Sequence, residues 1–457
     1  MSLEQEREDG AADPLDPFRQ FLALERDVLV LSAAMFAFSL GFQMTNRYMA
    51  EYMSALGASA VVIGLFGSFG NVISAVYPYP GGAISDRIGS RYALTAFGCC
   101  STVGFGIWLI APAFADISVG PTSLAIVTIF LGMLLAQAWK SFGLGATFAI
   151  VKQAVPPSQL AAGFASTETL RRTAFLVGPL FAAALFYPFG SSDGEIVTAF
   201  QLILLIAVVV GALGTVVQHL LYRPDDDIGT EFGGVSQLLA DLRSMPAELR
   251  PLLVGDTLVR FANGMVYVFF VIVVTRVLEV GLTLSLPTVG TVTLSPQSYF
   301  GLLLGIEMLV ALLTMLPAAK AAERIGLKPV VALGFAVYAI FPIMLINAPD
   351  DAAVLAGLFA FSGLRFAGLP AHKALIVGPA ELGAGGRVTG AYYLLRNLIV
   401  IPSAALGGLL WSGVPNPVTG GELFAGDPTV AFGIATVIGL VGTAYFLVFG
   451  TEFEAYR

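Results

Sequence analysis

Charge is what this chain has least of. Only 12% of its 457 residues are Asp, Glu, Lys or Arg, against roughly 25% in a soluble domain. Cysteine and histidine are rarer still, with two of each. Cys99 and Cys100 are neighbours inside an apolar run, so they cannot staple distant segments. With only His219 and His372, and no His, Cys and carboxylate cluster at ligand spacing, a metal centre finds no support. No nucleophile elbow and no phosphate-cradling glycine loop between a strand and a helix is present. An enzyme, a cofactor and a nucleic-acid partner are therefore not expected. Lysine is also scarce, and the formal net charge of -8 points to acidic solvent-facing surfaces of the kind found in a salt-adapted (halophile-like) host.

What the chain has instead is hydrocarbon: 57% of residues are hydrophobic and the mean hydropathy is +0.84. A helix needs roughly 20 mostly apolar residues to cross a bilayer. Such stretches lie near 28–52, 59–80, 92–113, 122–150, 160–188 and 198–221, then near 251–279, 298–319, 329–347, 352–378, 386–411 and 428–450. The expectation is an all-α polytopic membrane protein of 12 transmembrane helices in two pseudo-symmetric six-helix bundles, residues 28–221 and 251–450. Residues 1–27 read as an acidic tail rather than a basic signal peptide. Residues 222–250 read as a linker with a short amphipathic surface helix from Val235 to Leu249, and 451–457 as a second tail. Lys and Arg accumulate in cytoplasmic loops. The loops around Ala115, Gly190, Gly290, Pro349 and Gly420 hold neither, so both termini and the linker are expected on the cytoplasmic side of the cell membrane.

The chain also repeats itself. After the second span it reads Gly82, Asp86, Arg87, Gly89, Arg91; after the eighth, at the same spacing, Ala319, Glu323, Arg324, Gly326, Lys328. Lys140 and Arg365 stand as far apart as Arg171 and Arg396 do. Duplication at half the chain length is typical of secondary transporters. At these residues the sequence resembles the major facilitator superfamily, whose signature between spans two and three is G-x-x-x-D-R/K-x-G-x-R/K. The first copy matches fully; the second is degenerate. The resemblance implies that Asp86 and Arg87 fasten the two halves on the cytoplasmic side when the cavity faces outward. Gly178-Pro179 in the fifth span resembles the core of the family's antiporter motif, but Ala174 replaces one of its glycines, and a helix kink with close packing is the favoured account of the pair. The fourth-span motif R-x-x-Q-G-x-G is broken: Gly143 and Gly145 fit, but Trp139 stands in place of the arginine, with Lys140 next.

An ionisable residue inside a span is costly and by default faces a partner or a water-filled cavity. Arg47, Lys140, Arg171, Arg172, Arg365 and Arg396 are the candidate substrate-binding bases, with Gln43, Asn46, Asn263 and Tyr392 as polar neighbours. Glu168, Asp256 and Glu307 are the candidate coupling acids, for a proton or another cation. Two accounts stay open. The surplus of bases suits an organic anion or phosphate ester. Alternatively the charges pair with one another, since Glu168 precedes Arg171 and Arg172, and Asp256 precedes Arg260, at salt-bridge spacing. His372 and Lys373 read as ordinary positive residues near the cytoplasmic end of span ten. The expected function is a monomeric secondary transporter of a small solute. A multidrug or lipophilic-compound exporter and a non-transporting membrane receptor or scaffold are the rivals.

Overall fold

The computed structural model describes residues 26–143, 160–223, 243, 245–286, 290–378, 385–415 and 422–452. The tails 1–25 and 453–457, Lys152, Gly145, and linker residues 224–242 and 244 lie outside that set. So do the side chains of Gly82, Asp86, Gly143 and Glu168.

Backbone N–H and C=O groups cannot be left unpaired in lipid, so apolar stretches of this length fold as helices. In the first half these are α1 (Arg26–Asn46) with the short α2 (Met49–Ala55), α3 (Ala60–Val76) with α4 (Pro78–Ile88), α5 (Ser90–Ile110), α6 (Leu124–Ala136), α7 (Leu160–Phe186) and α8 (Asp193–Leu221). In the second they are α9 (Arg250–Val266), α10 (Pro296–Ile325), α11 (Leu327–Ile346), α12 (Ala352–Gly363) with α13 (Leu369–Val377), α14 (Gly385–Val400) with α15 (Ser403–Ser412), and α16 (Pro428–Phe449). Among the described residues, ten helical stretches are long and apolar enough to cross a membrane. Outside that group are α3, which is shorter, and α7, which is 27 residues long but carries Glu168, Arg171 and Arg172.

Packing repeats between the halves. In the first, α1 lies against α7 and α8, and α5 against α6 and α8; in the second, α9 lies against α15 and α16, and α11 against α12 and α16. The halves meet along two matching seams, α3 with α15 and α7 with α10. Glycine makes the first seam possible, because a side chain on Gly64 would collide with the Ala404 carbonyl and one on Gly408 with the Ala60 carbonyl. The repeated loop motif is realised in the backbone as well: Gly89 and Gly326 join α4 to α5 and α10 to α11 at φ of +81° and +93°, a region open mainly to glycine.

Three antiparallel hairpins project from one end: β1 (Ser118–Val119) with β2 (Thr122–Ser123), β3 (Leu282–Leu286) with β4 (Gly290–Leu294), and β5 (Gly413–Pro415) with β6 (Glu422–Ala425). All three fall in loops without Lys or Arg. Five of the six described helices that start at this end begin on side-chain caps, α6 being the exception. Ser59, Ser295, Asp351 and Asp427 accept from backbone N–H groups of α3, α10, α12 and α16, and Ser192 with Glu195 forms a capping box on α8. The 122–150 stretch is not one helix: α6 stops at Ala136 and a π turn follows over Trp139–Gly143. Of the expected surface helix, Arg243 and Met245–Leu249 lie among the described residues, Arg243 helical and Ala247–Leu249 a 3-10 turn.

Candidate functional site

Four of the membrane helices lose α-geometry partway along, and each break carries a residue that faces one cavity. α1 ends in a turn that holds Arg47 before α2 starts. The π turn after α6 holds Lys140. After α9 a 3-10 turn holds Tyr267, and after α12 another holds Arg365. These are the first, fourth, seventh and tenth spans in chain order, positions that the internal repeat relates; the second and eleventh spans also break, at Tyr77 and at Ile401–Pro402, without such a relation. Irregular turns of this kind free backbone groups and are tolerated in a membrane only where they are buried or line a cavity.

The central chamber has a volume of about 190 Å³ and is bounded by Arg47, Lys140, Glu307 and Arg365 among apolar residues such as Phe66 and Phe300. A second lobe of about 300 Å³ continues from it past Asn46 and Lys140 to Gln43 and Arg171. A third of about 210 Å³ shares Asn71 and Tyr267 with the chamber and reaches Arg260, Asn263 and Arg396. Asn46 and Lys140 are solvent-exposed although they lie within the membrane stretch, so the cavity is open to solvent.

Two acids hold three arginines and a histidine beside this cavity. Glu307 and Arg365 form a buried ion pair at 2.6 Å, each side chain 2% exposed, and Ser362 donates to the same carboxylate. Nε and Nη1 of Arg365 are buried with no acceptor. Asp256, fully buried, is a hub. Arg260 Nε lies 3.3 Å from one of its oxygens; Arg396 Nη1 at 3.1 Å and the Tyr392 hydroxyl at 3.1 Å donate to the other, with His372 Nε2 at 3.3 Å. Neither Arg47 nor Lys140 has an acidic partner among the described residues. Arg47 instead lies 4.8 Å over the Tyr267 ring and Lys140 5.7 Å over the Phe42 ring.

The intramembrane charges divide between pairing with one another and facing the cavity. The Asp256–Arg260 pair forms at the spacing that suggested it, and Glu307 takes Arg365, yet Arg47 and Lys140 are left facing the cavity. Tyr392 is bound to Asp256, away from the cavity lobes, and serves to hold that carboxylate. Arg172 points its guanidinium at Met315 Sδ, 3.6 Å away in α10. His372 corrects the expectation of an ordinary positive-inside residue, because it is 4% exposed and turned onto Asp256. Gly178 acts as a packing residue: a side chain there would strike Gln43 of α1. Of the loop motif, Arg91 donates to the His219 carbonyl in α8, within its own half, while Arg87, Glu323 and Arg324 are exposed. In the second copy Lys328 N–H donates to Glu452.

Sequence reasoning missed Glu51. It is fully buried and closes the cavity at the hairpin end, accepting from Thr275, Arg276 and Gln297 of the other half. Arg276 also bonds Asp193 at 2.7 Å, and Tyr48 donates to the Gln297 carbonyl. The missed signal was a lone acid within the first apolar stretch. Replacing Glu51 with Ala removes the acceptor that three side chains share, so the hairpin end is expected to open. With Cys99 and Cys100 changed to Ser, a cysteine at Ala50 should then react several times faster with an impermeant maleimide added on that side. An unchanged rate would mean that Glu51 does not hold the closure.

No family model and no curated protein sequence matches the chain. Its backbone does match solved structures. The nucleoside transporter NupG superposes with a TM-score of 0.68 at 12% identity, covering 93% of this chain and 99% of that one. The chain has the major facilitator fold. A bacterial homologue of the iron transporter ferroportin, in an inward-facing state, superposes at 0.70, again at 12% identity, over 93% of this chain and 99% of its own. A POT family transporter in complex with 5-aminolevulinic acid gives 0.64 at 14% identity, over 94% and 99%. The membrane-spanning, two-seam architecture of the major facilitator fold thus extends over nearly the whole chain, and the neighbours that share it are transporters.

Proposed function

We propose that this protein is a secondary transporter that carries a small organic anion, a carboxylate or a phosphate ester, across the cell membrane by alternating access. The observation that carries the reading is the charge balance of the cavity: among the described residues, Arg47, Lys140, Arg260, Arg365 and Arg396 face only Asp256 and Glu307. An unmatched positive charge inside a membrane is costly unless water or an anion compensates it, and guanidinium groups pair with carboxylate and phosphate in a bidentate manner.

In this reading twelve spans form two bundles, 28–221 and 251–450, tied by 222–250, with both termini in the cytoplasm. The hairpin end, free of Lys and Arg in its loops, is then the outer face. Its closure through Glu51 and Arg276 corresponds to an inward-facing state, in keeping with the state of the ferroportin homologue. Coupling to a proton or cation would run through Asp256 or Glu307, the two acids placed against substrate-side bases. The monomer is the transporting unit.

Purified protein in liposomes should exchange labelled carboxylates or phosphate esters in counterflow. Arg47→Gln or Lys140→Gln should lower that exchange by about tenfold or more, the equivalent of one lost charge-assisted contact. Binding with no exchange would place the chain among receptors instead. The rings of Phe66 and Phe300 in the chamber wall favour a second reading, export of an apolar compound. Thermal protection separates the two, since small anions should stabilise the protein in the first case and lipophilic compounds in the second.

A further inference from the structure

The positive charge is not gathered at one point, and its division between two lobes says more about the solute. Among the described residues, the central chamber holds Arg47, Lys140 and Arg365 against Glu307 alone. Among the same residues, the third lobe holds Arg260 and Arg396 against Asp256 alone. Each lobe therefore keeps a surplus of positive charge, and protonation of His372 would only add to it. Between them stand Gly67, Asn71, Tyr267 and Val268, which line both.

Unsatisfied polar atoms mark the same two places. In the chamber, Nε and Nη1 of Arg365 are buried without an acceptor; in the third lobe, Asn263 Oδ1 is buried without a donor. A native protein leaves few such groups unpaired, and those that remain call for a missing partner. The Asn263 amide can be turned to offer N–H or C=O, so it fits an anionic or a hydroxylated group equally. In the third lobe, Asp256 holds both guanidinium groups in place, with Asn397 accepting from Arg396 Nη2 at 3.0 Å. A preformed array of this kind loses little freedom when a ligand arrives.

We infer that the solute is a dianion whose two negative groups occupy the two lobes at once, spanning the wall at Asn71 and Tyr267. The inference rests on the anion-transport reading above and deepens it. A monoanion seated in the chamber leaves the positive charge of the third lobe uncompensated, whereas an elongated dicarboxylate or phosphocarboxylate compensates both. Asn263 and Arg396 then measure the second charge, and Arg47, Lys140 and Arg365 the first.

The test uses the full-length protein in detergent and in liposomes, with unbranched α,ω-dicarboxylates of increasing length and the monocarboxylates of matching length. The expected result is a length optimum in the dicarboxylate series, bound about tenfold or more tightly than the matching monocarboxylate. Arg396→Gln should abolish that preference, lowering dicarboxylate affinity about tenfold or more beyond any loss of monocarboxylate affinity. Asn263→Ala, which removes no charge, should weaken it in the same direction and serves if Arg396→Gln fails to fold. Equal affinity for the two series, or an equal loss of both in Asn263→Ala, overturns the inference and leaves the anion reading standing. Failure of every anion to bind or exchange overturns the anion reading itself.

Discussion

Changing Asp256 to Ala should cost roughly 3–5 kcal/mol, the usual penalty for leaving a buried ion-pair network without one sign of charge. Three groups that carry or can carry positive charge converge on this carboxylate: Arg260, Arg396 and His372. Tyr392 donates to it as well. Asp256 is itself fully buried, while the Arg260 and Arg396 side chains keep 24% and 17% of their exposure, so cavity water softens the loss without removing it. Once freed, the two guanidinium groups repel each other and α9, α13 and α14 lose their common anchor. The melting temperature in detergent should fall by several degrees and transport should drop to background. Asp256→Asn keeps the shape and still loses the charge, so it should be nearly as damaging. Native-like stability in Asp256→Asn would mean that the hub acts through hydrogen bonding and not through charge.

The second large effect is expected at Glu307. Its partner Arg365 is as deeply buried as the acid, so no water is at hand to take over when the carboxylate goes. Glu307→Gln should again cost about 3–5 kcal/mol, whereas the double change Glu307→Gln with Arg365→Met should recover much of that loss, because no unpaired charge is left inside. Four rings, Tyr267, Tyr338, Phe341 and Phe366, lie within 5.9 Å of the Arg365 guanidinium, and an apolar side chain fits among them. Stability and transport should then separate: the double variant melts near the native temperature yet does not carry the anion. If the double variant is as unstable as Glu307→Gln, the pair is holding the helices by geometry rather than by mutual neutralisation. The same protein answers the coupling question, since pH-driven transport that survives Glu307→Gln would rule this acid out as proton carrier.

Much of the site was visible in the sequence, but unevenly. The bases at Arg47, Lys140, Arg365 and Arg396 stood out because a charge in an apolar stretch needs a reason. Asp256 and Arg260 could be paired in advance because four residues bring them onto one helix face. Glu307 and Arg365 could not, being on different helices, and His372 was misjudged for the same reason: its distance from the helix end says nothing about which way it turns. Glu51 sat in plain view inside the first apolar stretch, and its partners Thr275, Arg276 and Gln297 are in the other half of the chain. Helix breaks were also hidden. The turns at Arg47, Lys140, Tyr267 and Arg365 carry no proline of their own, and only the surrounding packing stabilises them.

By itself the sequence determined that the chain crosses a membrane as helices, roughly where the apolar helices lie, and that its two halves repeat. These follow from short-range physics: the length of an apolar run against the thickness of hydrocarbon, and the need to close every backbone hydrogen bond within the segment. Only the tertiary structure decided which charges pair and which face water. Rotation of a helix about its axis is set by the packing of neighbours far away in the chain, and a turn of less than half a circle moves a guanidinium from a carboxylate to the cavity. Asp256 and Glu307 show one outcome of that choice, and Arg47 and Lys140 the other.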